Sequence, residues 1–192
     1  AAEFVPTSPG IHFFMGGIRV DNCHRTNIEG LYAAGEAACK YHGANRLGGN
    51  SMLGAIYGGS LAAKSAAERV ETAVLEDAEA DLRPSLPWER KALREALTEG
   101  LGIIRTPEAM AASEEKIRGL IESGRGKTDR ARAVLGLAMV LSAQARKESR
   151  GAHFRTDFPQ ALDEYKKKST AVFKDGSVQI SFAPADGAGG GA

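Results

Sequence analysis

Cysteine is scarce in this sequence. Cys23 and Cys39 are the whole complement of 192 residues, and no CxxC pair or other metal-ligand spacing accompanies them. A disulfide between them is chemically open, but two reduced thiols in an intracellular protein are the simpler expectation, and no metal site is predicted. An excess of charge is also lacking. The formal net charge is +1, from 25 Lys and Arg against 24 Asp and Glu, so bulk electrostatics point to neither nucleic acid nor an acidic membrane surface. No apolar run approaches the roughly 20 residues that span a bilayer, and there is no internal repeat. The first residues, Ala1-Ala2-Glu3-Phe4-Val5-Pro6, hold neither a basic region nor an apolar signal core, and no initiator Met. Motif-like sequence begins at once, so the expectation is of a chain cut from something longer. The length suffices for one good core or two small ones.

What the sequence does have is concentrated in one loop. His42-Gly43-Ala44-Asn45-Arg46-Leu47-Gly48-Gly49-Asn50-Ser51 places an imidazole, a guanidinium, two carboxamides and three glycines in ten residues. A small-residue helical pattern follows, from Met52 to about Val70. Such a loop running into a helix start brings backbone N–H groups and a cation to an anionic or carbonyl-bearing ligand. Asn50 or Ser51 is expected to cap the helix. Gly54, Gly58 and Gly59 lower its propensity by up to about 1 kcal/mol each, which is tolerable if the helix packs tightly. A buried helix is therefore expected.

Before the loop, Pro6 and Pro9 hold an extended entry to an apolar segment with one imidazole, His12. By its surroundings alone, His12 reads as a core residue among aromatics or as a ligand. Gly17–Asp21 and Thr26–Ile28 are candidates for a hairpin with Asn22 and Cys23 near its turn. Gly30-Leu31-Tyr32-Ala33-Ala34-Gly35-Glu36 has the pattern of a buried strand delivering an acid at its carboxyl end, where open α/β sheets bind ligands. Glu36 there suits a hydroxyl-rich ligand, or else serves as a turn or cap acid.

After the loop helix the composition turns acidic and Ala-rich and closes with Pro84 and Pro87. The expected domains are residues 1–72, a linker over 73–87, and 88–192. The second domain is read as three helices. One runs from Trp88 to Gly100 with Leu93 and Leu97 at i, i+4. The next follows Thr106-Pro107-Glu108, an N-cap, a first-turn proline and an early acid, and buries Met110, Ile117, Leu120 and Ile121 up to Gly124. The third runs from about Thr128 to Lys147 with Val134, Leu135, Ala138 and Leu141 on its apolar side. Arg125, Lys127, Arg130 and Arg132 read as a solvated face. The segment Glu148 to Pro159 is dense in paired charges, fit for a ligand site or a buttress against the first domain. Lys166-Lys167-Lys168 reads as a solvated helix end. Asp175-Gly176 between Thr170–Phe173 and Ser177–Phe182 signals a hairpin, followed by a Gly-rich tail from Gly187.

The order of these motifs is more specific than any one of them. His-x-x-Met-Gly-Gly-Ile, Gly-Leu-Tyr-Ala-Ala-Gly-Glu, the ten-residue loop, a helical domain and Ser-Arg-Gly-Ala-His-x-Arg-x-Asp-Phe-Pro together resemble the flavoprotein subunit of succinate dehydrogenase and fumarate reductase, with L-aspartate oxidase a close relative. The resemblance implies an α+β, multidomain chain. It would comprise the end of a Rossmann-like FAD-binding domain, a three-helix C-terminal bundle and a terminal β-hairpin.

By the same resemblance, His12 and Arg46 bind a dicarboxylate, succinate or fumarate, and His42 shapes the loop beside them. Glu36 holds the ribityl hydroxyls of FAD, and Asn50, Ser51, Met52 and Leu53 meet the pyrimidine edge of the isoalloxazine. Arg46 suits a bidentate carboxylate contact, and a helix N-terminus suits negative charge on a reduced flavin. Arg150, His153 and Arg155 match a C-terminal motif with a structural or interfacial role. The family's Gly-x-Gly-x-x-Gly turn and its proton-passing arginine have no counterpart here, so no catalytic residue is assigned and the chain alone is expected to be incompetent. An iron–sulfur subunit is the implied partner, and the implied location is cytoplasmic or peripheral to the inner membrane through partner subunits. The alternatives are an L-aspartate oxidase and a non-catalytic module that docks a partner.

Overall fold

The computed structural model describes residues 10–69, 87–124 and 126–184. The chain divides into two compact units, Ala1–Ala78 and Glu79–Ala192. The expected extended entry at Pro6 and Pro9, residues 73–86 of the expected linker, Arg125 and the tail from Gly187 lie outside the described residues.

The first unit is built from loops laid against one helix, α1 (Asn50–Ala67). The expected buried strand at Gly30–Gly35 is not formed. Its residues make one antiparallel bridge, Arg25 with Tyr32, and then a 3-10 turn, η1 (Gly35–Ala37). Leu31 is exposed, and of the run only Ala33 is buried. The reason is that the strand has no neighbours: Ile18 makes a single parallel bridge to Ala38, and no longer ladder exists among the described residues of this unit. The expected hairpin also differs. Its turn does fall at Asn22-Cys23, where the Asp21 carboxylate accepts from the N–H groups of Cys23 (2.8 Å) and Arg25 (2.9 Å). Thr26 then pairs forward with Leu31, not back with Gly17–Asp21.

Helix α1 corrects two further expectations. Its N-cap is Gly49, whose φ of 81° lies in the left-handed region that glycine enters without a Cβ clash, and neither Asn50 nor Ser51 caps it by side chain. The helix is also not buried all round. Gly54, Gly58 and Ser65, at helical spacing, form the buried stripe. Met52, Leu53, Ile56 and Tyr57 face outward, the first two 67% and 65% exposed. The small face is covered because only glycines admit the rings that lie on it.

The second unit is a three-helix bundle with a hairpin. Helices α2 (Pro87–Gly100), α3 (Pro107–Ser123) and α4 (Lys127–Ala145) pack on one another. Thr106 caps α3 as expected, its hydroxyl accepting from the Ala109 N–H at 3.2 Å. The core joins Ala96, Leu101, Met110, Ile117, Ala133, Leu137, Val140 and Ala143, with Leu93, Leu97 and Val178 packed onto it. On α4 the buried face is Ala133, Gly136, Leu137, Val140 and Ala143, one position out of phase with the expected one, and Leu135 is exposed. Helices α2 and α3 and the hairpin all claim this helix. Leu93 and Leu97 sit over Gly136 on one side while the hairpin packs on another, and small residues mark those contacts better than large ones.

A second 3-10 turn, η2 (Asp163–Tyr165), leads to strands β1 (Lys167–Lys174) and β2 (Ser177–Pro184). They pair antiparallel from Lys167–Pro184 to Lys174–Ser177. The two-residue turn has positive φ at Asp175 (51°) and Gly176 (76°), as a type I′ hairpin requires. Lys167 and Lys168 therefore open a strand, where a helix end was expected. Consecutive residues of a strand point to opposite faces, and Lys167 and Lys168 pair with Pro184 and Ala183 once β2 supplies the partner strand.

Candidate functional site

The loop from His42 to Ser51 is held by its own hydrogen bonds and by Phe13. The Arg46 N–H donates to Asn45 Oδ1 (3.0 Å), and Arg46 Nη1 donates to the Leu47 carbonyl (3.1 Å). The guanidinium lies over the Phe13 ring, 4.6 Å from its centroid. On another side, the same ring meets the His42 imidazole edge-on at 5.2 Å. Arg46 Nε is buried and has no hydrogen-bond partner. A buried donor left unsatisfied is costly. Here a cation capable of bidentate recognition is pre-ordered over a ring, with only Nη1 engaged by a hydrogen bond among the described residues and Nε left unused.

His42 itself rests on α1. A Cβ at Gly54 would lie 3.2 Å from His42 Nε2, so glycine there lets the imidazole settle onto the helix. Glu36, in the first turn of η1, is exposed, and its Oε1 accepts from the Phe14 N–H at 2.8 Å. That bond ties the Phe13–Phe14 segment to the 3-10 turn. Oε2 has no hydrogen bond among the described residues. His12 is exposed, which removes the reading as a core residue.

The first residues of α1 present backbone N–H groups that no side chain caps. Asn50 N–H is occupied by the Leu47 carbonyl (3.2 Å), which leaves the N–H groups of Ser51 and Met52 at the open end, with Leu53 beginning the intrahelical ladder. Structure thus brings Arg46, His42 and Phe13 together, with Asn50 to Leu53 in the same continuous loop and helix start. His12 and Glu36 flank this cluster through Phe13 and Phe14.

Sequence reasoning missed three contributors: Phe13, His24 and Tyr41. His24 is fully buried, with Nδ1 at 2.7 Å from the Ala33 carbonyl and Nε2 hydrogen-bonded to the Tyr41 hydroxyl. The signal that could have found them is the Gly54/Gly58 pair. Two glycines at i, i+4 make one flat stripe on a helix, and flat stripes accept rings.

The charged segment after α4 does not form an open ligand site. The hydrogen bonds and ion pairs described for it join residues of the second unit. Glu148 is fully buried between Arg146 Nη1 (2.6 Å) and Arg150 Nε and Nη2 (both 2.9 Å), and also accepts from the Leu162 N–H (2.9 Å). Burial pushes its carboxyl pKa up, but these donors outweigh burial and lower it to about 2. Arg155 is buried too. It pairs with Asp157 and donates to the Ala143 (3.1 Å) and Gln144 (2.7 Å) carbonyls, closing the C-terminus of α4. His153 sits between Arg105 and the Arg146 carbonyl, and burial followed by the Arg105 charge lowers its pKa to about 4. The motif residues Arg150, His153 and Arg155 are therefore internal ties.

Two family models match separate stretches of the chain. Residues 1–52 match the FAD binding domain family, and residues 130–188 match the fumarate reductase flavoprotein C-terminal family. The L-aspartate oxidase of Agrobacterium fabrum is 40% identical over 83% of this chain and 31% of its own length. The succinate dehydrogenase flavoprotein subunit of Bacillus subtilis is 34% identical over 84% of this chain and 34% of its own. The fold superposes on the E. coli quinol fumarate reductase FrdA with a TM-score of 0.74 at 30% identity, over 90% of this chain and 36% of that one. The chain thus spans about a third of the length of these proteins.

FAD is the cofactor of the matched domain, and the residues present fit it. An uncapped helix start after a left-handed glycine can face an electron-rich ring edge, and Glu36 keeps one carboxylate oxygen for hydroxyl groups. No helix among the described residues is long and apolar enough to cross a membrane. With a flavin-binding segment, the C-terminal flavoprotein region and a superposition over 90% of this chain, the chain belongs, as a C-terminal portion, to the flavoprotein family of succinate dehydrogenase, fumarate reductase and L-aspartate oxidase.

Proposed function

We propose that the first unit forms the junction between substrate and flavin in a flavin-dependent oxidoreductase that interconverts succinate and fumarate. The single observation that carries this reading is Arg46: a guanidinium ordered over Phe13, with a buried and unused Nε, one turn before an open helix start. FAD, when bound, supplies the acceptor and donor of hydride. Arg46 grips one carboxylate of the four-carbon acid and fixes the distance of its methylene carbons from the flavin. His12, exposed beside Phe13, donates a hydrogen bond to the substrate, and His42 sets the loop and shields its inner side. Glu36 Oε2 accepts from ribityl hydroxyls. The N–H groups of Ser51 and Met52, with the Asn50 side chain and with Leu53 on the same first turn, stabilise negative charge at the pyrimidine edge.

The proton that accompanies the hydride is assigned to an arginine supplied outside the residues described above. An iron–sulfur subunit is the expected electron partner, since structures similar to this chain are of quinol fumarate reductase and of an Sdh1 complex from Mycobacterium smegmatis. L-aspartate oxidation is a second reading, favoured by the relatives from Agrobacterium fabrum and Pyrococcus furiosus, 40% and 36% identical. A non-catalytic docking role leaves the arrangement at Arg46 without a use.

The test is made in the full-length, FAD-loaded protein. Turnover is measured with succinate and an electron acceptor, with fumarate and a reduced dye, and with L-aspartate and oxygen. Arg46→Ala should lower kcat/KM about 100-fold or more while flavin absorbance is retained. Unchanged kcat/KM would sink the assignment of Arg46, and turnover of L-aspartate alone would select the second reading.

A further inference from the structure

Three rings lie in sequence along the glycine stripe of α1, and the family reading uses only one of them. A Cβ at Gly58 would lie 2.8 Å from His24 Cε1 and 3.4 Å from Tyr41 Cε2, and a Cβ at Gly54 would lie 3.5 Å from Tyr41 Cδ2 and 3.2 Å from His42 Nε2. The order along the helix is therefore His24, Tyr41, His42. Tyr41 bridges the two glycines. Its ring stands 5.6 Å from His24 and 6.4 Å from His42, and His42 continues to Phe13, which carries the Arg46 guanidinium.

His24 anchors the inner end of this ladder at a conformational cost. Its φ of 62° lies in the left-handed region, unusual for a non-glycine residue. The Asp21 carboxylate secures that turn by accepting from the N–H groups on either side of His24. The result is an imidazole with no exposure to solvent. Its Nδ1 faces a carbonyl, which can only accept, so Nδ1 carries the proton and Nε2 accepts from the Tyr41 hydroxyl. Burial, and then neighbouring Tyr57, raise the pKa of the Tyr41 phenol, which keeps it a donor.

We propose that His24 and Tyr41 are a positioning pair for substrate recognition: the His24–Tyr41 hydrogen bond fixes the Tyr41 ring on the Gly54/Gly58 stripe, and through His42 and Phe13 it sets where Arg46 presents its guanidinium to a dicarboxylate. Neither residue touches the substrate. Their effect is on the affinity for a carboxylate, transmitted by contact between rigid rings. The inference rests on the reading of Arg46 as the carboxylate clamp.

The experiment uses the full-length, FAD-loaded protein and malonate, a dicarboxylate that cannot be dehydrogenated, with its dissociation constant read from the perturbation of flavin absorbance. Tyr41→Phe removes one hydroxyl and keeps the ring. It should weaken malonate binding about 3- to 10-fold, the range expected for loss of one neutral hydrogen bond that orders a site. FAD content and Tm should stay near wild type, and KM for the turned-over substrate should rise more than kcat falls. His24→Leu should have the same effect or a larger one. His24→Gln, which can donate to Ala33 and accept from Tyr41, should restore most of the affinity. Wild-type binding of malonate with equal binding by Tyr41→Phe would overturn the positioning role alone. So would a fall in kcat and Tm at constant malonate affinity. Failure of the wild type to bind malonate, succinate or L-aspartate would overturn the clamp reading and the pair's role with it.

Discussion

The two units solve the problem of stability differently. In the second, Met110, Ile117 and Val140 are fully buried and lie in one cluster fed by three helices and a hairpin. In the first, the buried apolar residues are Val20, Ala33 and Ala38, a small cluster. Its large apolar side chains, Leu47, Met52, Leu53 and Ile56 among them, are exposed, Leu47 by 74%. Polar groups reverse the pattern. In the second unit buried Glu148 is matched by Arg146 and Arg150, and buried Arg155 by Asp157, whereas the first leaves Arg46 Nε buried without a hydrogen bond. A matched buried charge ties a structure internally, and the unused donor at Arg46 is what the proposed carboxylate clamp draws on. The difference teaches which motif is architecture and which is chemistry, though both are written in Arg, His and acids.

That contrast can be broken most severely at Glu148. Glu148→Ala strands Arg146 and Arg150 and should destabilise the second unit by about 3–5 kcal/mol, read by denaturant unfolding followed by circular dichroism. A cost under 1 kcal/mol would mean that the network is not buried in solution.

Acid should find the same network in two steps. His153 has its pKa lowered from 6.5 to about 4, so between those values the unfolded chain binds the proton and the folded one does not. Its contribution is whole above pH 6.5 and is lost as pH falls towards 4. Glu148, lowered from 4.5 to about 2, contributes fully above pH 4.5 and loses that contribution as pH falls towards 2. His153→Gln should flatten the upper limb of the stability–pH curve and leave the lower one. An unchanged upper limb would assign it to another group.

The first unit supplies the smallest effects, and adjacent glycines sharpen them. Gly58→Ala places a Cβ 2.8 Å from His24 and should cost about 1–3 kcal/mol. Gly59→Ala meets nothing within 4 Å and should stabilise α1 by up to about 1 kcal/mol. Equal responses in thermal melts would show that the glycine stripe does not hold His24.

Local signals were legible wherever local chemistry decides. Thr106-Pro107 fixed the start of α3, and Asp175-Gly176 fixed the hairpin turn, because capping and positive φ are satisfied within a few residues. The ten-residue loop singled out Arg46 as a candidate for the same reason, and the structure orders its guanidinium over Phe13. Legibility failed where the outcome depends on distant partners. Gly30–Gly35 has the composition of a buried strand, yet a strand needs neighbours to pair with, and here it makes one bridge. Leu135 looked like core on helical period alone, but the phase of α4 is set by what packs on Gly136.

By itself, then, the sequence determined the order of motifs, the helix starts and turns, the flavin-binding kinship and the arginine at its centre. Those depend on short-range sterics and hydrogen bonding, which travel with the residues. Only the tertiary structure decided that Glu148, His153 and Arg155 tie one unit internally, and that His24 and Tyr41 stand behind Arg46. Burial and ring contact are properties of the space between segments, and Gly54 and Gly58 reveal theirs only once a helix is set against the rings they admit.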